Sequence, residues 1–186
     1  MPNSISAKLL NVNGIVQGVG FRPHVFQLAR RYHLKGEVAN TAAGVKIHVE
    51  GTCEHLKAFE TDLVQKSPPL AHIVEMSAET VPPKHCRDFR IVKSSADETI
   101  STLISPDVSI CRDCLSELFD PNDRRHGYPF INCTNCGPRY TIIDDIPYDR
   151  PKTSMRHFTM CADCQAEYDN PGDRRFHAQP NACPEC

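Results

Sequence analysis

No stretch of this sequence stays apolar for the ~20 residues a helix needs to cross a bilayer. Its first residues, MPNSISAKLLNVNG, lack a basic segment followed by an apolar one, which argues against a secretory signal. Positive charge is scarce in the second half, where residues 97–186 carry 9 Lys and Arg against 15 Asp and Glu. That balance disfavours a nucleic-acid partner, because binding a phosphate backbone requires neutralising cations on the protein. What remains is a cytoplasmic globular chain with no membrane and no nucleic-acid partner. Its 186 residues suffice for one middling domain or two small ones.

The two halves differ in kind. Residues 1–96 carry 12 Lys and Arg against 8 Asp and Glu, so only this half suits an anionic ligand. Cysteine divides the same way. Of ten cysteines, Cys53 and Cys86 stand alone in the first half and read as ordinary thiols, while eight form four CxxC pairs in the second. Such clustering points to metal ligation in a reducing compartment rather than to disulfides.

In the first half, AKLLNVNGIVQ alternates as a strand up to the glycines. From Pro23, residues Val25, Phe26, Leu28, Ala29 and Tyr32 fall at helical spacing. LKGEVAN and GVKIHVEG read as a strand pair, with Val45, Ile47 and Val49 alternating against Lys46, His48 and Glu50. TCEHLKAFETDLVQK opens on Thr52 as a cap and carries the stripe Leu56, Phe59, Leu63. HIVEMSAETV and the short DFRIV are two further strands. The order β-α-β-β-α-β plus one short strand predicts an α+β, ferredoxin-like domain with both helices on one face of an antiparallel sheet.

The second half repeats itself at an offset of fifty residues. Cys111, Cys114, Cys133 and Cys136 read C-x2-C-x18-C-x2-C, and Cys161, Cys164, Cys183 and Cys186 read the same. Each CxxC knuckle can present two thiolates to one tetrahedral ion, which predicts two structural Zn(Cys)4 sites. A redox or iron–sulfur module is the competing reading. Sequential pairing of the knuckles closes shorter loops than crossed pairing, but a duplicated unit permits either. His126 and His177 lie inside frames already filled by four cysteines and read as structural or surface residues. Arg124–Arg125 and Arg174–Arg175 each follow an Asp and read as internal ion pairs.

One stretch stands apart: GIVQGVGFRPHVFQLARR, residues 14–31. After a strand, backbone N–H groups at Gly18, Val19, Gly20 and Phe21 can point into one concavity, and glycine lets an anion approach the main chain. The following helix turns its positive end to the same spot, and Arg22 adds a planar fork for two phosphate oxygens. A glycine-bearing turn with a surface arginine is the plain alternative.

GIVQGVGFR, with GEVANTAAGVKIHVEG downstream, resembles the acylphosphatase domain over roughly residues 7–93. The resemblance implies substrate binding by Gln17, Gly18, Val19, Gly20, Phe21 and Arg22, catalysis by Arg22 and Asn40, with Asn40 orienting the attacking water, and no cofactor at that site. Together with the two cysteine frames and GPRYTIIDDIPYDRPKTSM between them, the chain resembles the N-terminal part of the HypF family, carbamoyltransferases of [NiFe]-hydrogenase maturation. This resemblance implies cleavage of carbamoyl phosphate to carbamate and phosphate, as the first step of carbamoyl transfer to the partner HypE for cyanide-ligand synthesis. ATP belongs only to further domains, a nucleotide-binding domain of YrdC/Sua5 type and a carbamoyl-transfer domain. Because the sequence stops at Cys186, itself a ligand candidate, it is expected to be a fragment.

The expected organisation is an acylphosphatase-like domain at 1–93, a linker at 94–108, zinc-finger units at 109–136 and 159–186, and a connector at 137–158. Two other functions compete. One is a non-catalytic anion-binding and zinc-dependent docking module; the other is a zinc regulator of nucleic acid, which the charge balance opposes. Tyr148 and Asp149 are expected at the junction between zinc units, and His24 on a partly exposed helix face.

Overall fold

A computed structural model describes residues 5–94, 103 and 105–186. Strands β1 (Ser6–Ile15), β2 (Lys35–Thr41), β3 (Gly44–Gly51), β4 (His72–Val81) and β5 (Phe89–Ile91) form one sheet in the order β4-β1-β3-β2-β5. Helices α1 (Phe21–Arg31) and α2 (Cys53–Gln65) connect β1 to β2 and β3 to β4. The four long strands pair antiparallel, as the ferredoxin-like order requires. The short fifth strand differs from an all-antiparallel expectation: it runs parallel to β2, with Gly36 opposite Phe89.

Strand alternation explains which face is covered. Leu10 lies opposite Ile47 and Val12 opposite Val45, and all four are buried beneath the helices. Val25, Leu28 and Ala29 of α1 and Leu56, Phe59 and Leu63 of α2 complete that core. Each large apolar side chain removed from water contributes roughly 1.5–3 kcal/mol, so this layer drives the fold. Thr52 caps α2 as its sequence predicts, its hydroxyl accepting from the His55 N–H at 3.3 Å. On the opposite face of β3, Lys46 is exposed but His48 and Glu50 are buried. Simple alternation places all three outward. The segment between β4 and β5 folds over the latter two.

In the second half, α3 (Arg112–Phe119) and α4 (Ala162–Asp169) are equal helices that each begin just after the first cysteine of a frame. The two repeats lock together reciprocally. Arg124 donates to Cys164 Sγ at 3.2 Å and to Glu167 at 2.8 Å, while Arg174 donates to Cys114 Sγ at 3.0 Å and pairs with Glu117. Arg125, 2% exposed, joins Glu167 and the Ala182 carbonyl, and Arg175 joins Glu117 and the Asn132 carbonyl. The arginine pairs are therefore internal, but across the repeats. Asp123 and Asp173 accept instead from the backbone N–H groups of Arg125 and Arg175, both at 2.7 Å. Burial alone would raise the Glu167 carboxyl, but hydrogen bonds from Arg125 and Arg124 outweigh it and hold the pKa at about 2. Most of the expected linker, residues 95–102 and 104, lies outside the described residues.

Candidate functional site

The loop between β1 and α1 is shaped by its glycines. Gly18 and Gly20 take φ of 74° and 77°, a left-handed conformation costly to other residues, and Gly20 caps α1. Val19 and Phe21 bury their side chains in the core and offer only their backbone to the site. Gln17 is a brace: its amide donates to the Thr41 and Gly44 carbonyls at 2.8 Å each, tying the loop to the β2–β3 turn. Asn40 follows Val38 by two positions on β2, so alternation turns both toward the helix layer; Asn40 is fully buried. Arg22, in the first turn of α1, is 7% exposed.

Arg22 and Asn40 converge on one oxygen, the main-chain carbonyl of Tyr148. Asn40 Nδ2 donates to it at 3.0 Å and Arg22 Nη2 at 3.4 Å. The Tyr148 N–H in turn donates to Gln17 Oε1 at 2.8 Å, and Arg22 Nη1 pairs with Asp149 Oδ1 at 2.7 Å. Tyr148 and Asp149 thus sit over the loop rather than only between the zinc units, where the sequence suggests they belong. Arg22 and Asn40 thus both donate to acceptor oxygens of this segment.

The zinc units wall the site. A Cβ on Gly18 would meet Pro138 Cβ at 2.7 Å and Tyr148 Cε1 at 2.9 Å. Between loop and wall remains a cavity of about 20 Å³, lined among others by Gly20, Arg22, Thr134, Tyr148 and His177, with room for about one water. Two buried polar atoms, Asn40 Oδ1 and the hydroxyl of the cavity-lining Tyr148, have no hydrogen-bond partner among the described residues. His177 is half-buried against Tyr168 and Phe176 and lines this wall, so it is more than a surface residue of its frame. Burial, with the Arg22 charge, pushes its pKa down to about 4. His24 is half-buried on α1, outside the residues lining the cavity, and His126 is exposed.

The eight clustered cysteines come together as two sequential sets, Cys111, Cys114, Cys133, Cys136 and Cys161, Cys164, Cys183, Cys186. In the first, Sγ–Sγ separations are 3.6 Å (Cys111–Cys133), 3.8 Å (Cys133–Cys136) and 3.5 Å (Cys114–Cys136); in the second, Cys161–Cys183 and Cys183–Cys186 are both 3.7 Å. A tetrahedron with Zn–S bonds of about 2.3 Å has edges of about 3.8 Å, so the donor sets fit zinc. N–H groups of Cys111 and Cys161 donate to Cys136 and Cys186 Sγ, both at 3.2 Å, as donors around a metal thiolate do.

An acylphosphatase-type domain whose glycine loop is walled by paired four-cysteine units defines the class of protein. A model of the acylphosphatase family matches residues 8–91, and a model described as the HypF finger matches residues 110–143 and 160–186. The chain is 48% identical to the carbamoyltransferase HypF of Rhodobacter capsulatus over 183 residues, covering 95% of this chain and 23% of that one. It is 40% identical to the acylphosphatase of Thermotoga maritima over 88 residues, covering 47% of this chain and 97% of that one. A crystal structure of full-length HypF in a phosphate- and nucleotide-bound form superposes with a TM-score of 0.94 at 53% identity, covering 98% of this chain and 24% of that one. The chain belongs to the HypF family, spanning about a quarter of the length of these HypF relatives. Among the described residues, no helix is long and apolar enough to cross a membrane.

Of the residues the sequence singles out, the structure brings Arg22 and Asn40 together beside the glycine loop and gathers the eight cysteines into two sets. Sequence reasoning missed the covering role of Tyr148 and Asp149, 126 and 127 positions beyond Arg22. The PYDRP motif was the one available signal, and nothing local in it names its target.

Proposed function

We propose that residues 7–93 hydrolyse an acyl phosphate, specifically carbamoyl phosphate to carbamate and phosphate, as the first step of carbamoyl transfer to HypE in [NiFe]-hydrogenase maturation. The observation that carries this reading is the convergence of Arg22 and Asn40 on a single acceptor oxygen beside the glycine loop. With substrate bound, the loop N–H groups and the Arg22 fork hold the phosphoryl oxygens. The otherwise unpartnered Asn40 Oδ1 accepts a hydrogen bond from the attacking water and so aims the water's lone pair at phosphorus. The P–O bond to the acyl group breaks, carbamate leaves with that electron pair, and the water proton passes to the phosphate itself. No side-chain base is required, which suits a site whose catalytic groups are an amide and a guanidinium.

The four-cysteine units hold one Zn²⁺ each in this reading. They supply scaffold rather than chemistry, because four thiolates leave no open position. ATP and the transfer to HypE belong to parts of the longer relatives outside this chain.

The test is phosphate release from carbamoyl phosphate by the zinc-loaded chain, with Arg22→Ala and Asn40→Ala alongside. Turnover abolished in both variants is expected. A second reading, an anion-binding module without turnover, is favoured by the occupation of Arg22 and Asn40 by Tyr148 and Asp149. Folded wild type that binds phosphate yet releases none from carbamoyl phosphate would decide for it.

A further inference from the structure

The sheet face that the helices leave bare carries a separate cluster of ligand-type side chains. His48 and Glu50 stand two residues apart on β3, so both point to that face. Side chains there are ordinarily solvated, yet these are 4% and 3% exposed. Their cover is the segment joining β4 to β5. The Lys84 N–H donates to Glu50 Oε1 at 2.6 Å and the Cys86 N–H to Oε2 at 3.1 Å. Between them His85 adopts φ of 59°, the left-handed conformation that lets two nearby N–H groups turn toward one anion. This turn brings Cys86 Sγ, a His48 ring nitrogen and a Glu50 oxygen within 4.8 Å of one another.

We propose that His48, Glu50 and Cys86 form a third metal site, for a borderline divalent cation of the Zn²⁺ type, distinct from both four-cysteine clusters. One imidazole, one carboxylate and one thiolate suit such an ion, whereas Mg²⁺ and Ca²⁺ prefer all-oxygen sets. Glu50 already has the support a ligating carboxylate needs, two backbone N–H groups fixing its orientation. On binding, the Cys86 S–H bond breaks, its proton leaves to solvent and the thiolate pair forms the sulfur–metal bond. The His48 Nε2 proton that now reaches Glu50 Oε1 at 2.8 Å passes to solvent as Nδ1 takes up the ring proton, and the freed Nε2 lone pair bonds the ion.

Three protein ligands leave one tetrahedral position for a water or a fourth side chain. Glu50 and Cys86 line a cavity of about 440 Å³ shared with His33, His55 and His85. Before a metal binds, burial and the neighbouring Glu50 charge hold the Cys86 thiol above its ordinary value. The Glu50 carboxylate supplies the negative charge that attracts a cation.

The full chain is loaded anaerobically with Zn²⁺, freed of excess by gel filtration, and its zinc counted. Three ions per chain are expected in wild type and two in both Cys86→Ser and His48→Gln, which leave the four-cysteine clusters intact. Two zinc ions retained in each variant, with unchanged circular dichroism, show that folding is preserved. Reloading with Co²⁺ gives an independent reading: difference spectra of wild type minus Cys86→Ser should contain the charge-transfer band of one thiolate, about an eighth of that from the two clusters together. Two zinc ions in wild type would overturn the proposal and leave Glu50 a purely structural pin for the loop. So would a third ion that persists in both variants.

Discussion

The Arg22 guanidinium and the Asp149 carboxylate form an ion pair of 2.7 Å between the first turn of α1, beside the glycine loop, and the segment joining the two four-cysteine units. Asp149 also accepts from the Ser94 hydroxyl, so both Arg22 and the residue that follows the first domain hold it. An anion entering the loop competes with this carboxylate for the same fork. Asp149→Asn keeps the side chain's shape but removes its charge, and should tighten inorganic phosphate binding about tenfold, or about 1.4 kcal/mol. Calorimetric titration of both proteins at one ionic strength checks this. Equal affinities would mean that Arg22 binds phosphate without giving up Asp149.

Gly18 is the point of closest approach between loop and wall. Alanine there meets both an unfavourable φ and the Pro138 and Tyr148 side chains. Gly18→Ala should therefore destabilise by about 2–3 kcal/mol, combining backbone strain with overpacking. Thermal melting measures the loss. An unchanged melting temperature would show that the zinc units do not rest on the loop in solution.

The reciprocal arginines make a crossed prediction. Arg124→Ala should loosen zinc in the Cys161–Cys186 set, and Arg174→Ala in the Cys111–Cys136 set, each by about tenfold as loss of a supporting donor does. Chelator competition gives the affinity, and amide chemical shifts of the ligand cysteines identify which set has emptied. Loss within the mutated repeat instead would contradict the docking of the two units.

His177 should make stability depend on pH. Its pKa is about 4 in the folded chain and about 6.5 when unfolded, so the unfolded state binds more protons between those values. Stability is therefore full above about pH 6.5 and falls as pH drops toward 4, by at most about 3 kcal/mol from this residue. The nearby charges are Arg22, which lowers the value, and Asp149 and Asp169, which raise it. His177→Asn suits the residue's φ of 54° and should flatten the slope. Denaturant melts of both proteins at pH 7.5 and 5.5 compare them under equal zinc loading.

Much of this architecture is local and hence readable. Thr52 caps its helix through a bond spanning three residues, and Val45, Ile47 and Val49 face the core because strands alternate with period two. The cysteine frames announce their sets by spacing, although spacing alone left crossed pairing open. His48 and Glu50 show where such reasoning stops: alternation turns them outward, and only the return of the chain at Lys84 and Cys86 buries them.

The sequence by itself determined the ferredoxin-like order, the glycine loop with Arg22, and the four CxxC knuckles. Each follows from residues near in sequence or from a repeating period. Only tertiary structure decided that Tyr148 and Asp149 close over Arg22, that the arginines of one repeat serve the thiolates of the other, and that Cys86 lies over Glu50. Those relationships join residues from 36 to 127 positions apart, where chain connectivity imposes no geometry and packing alone selects the partner.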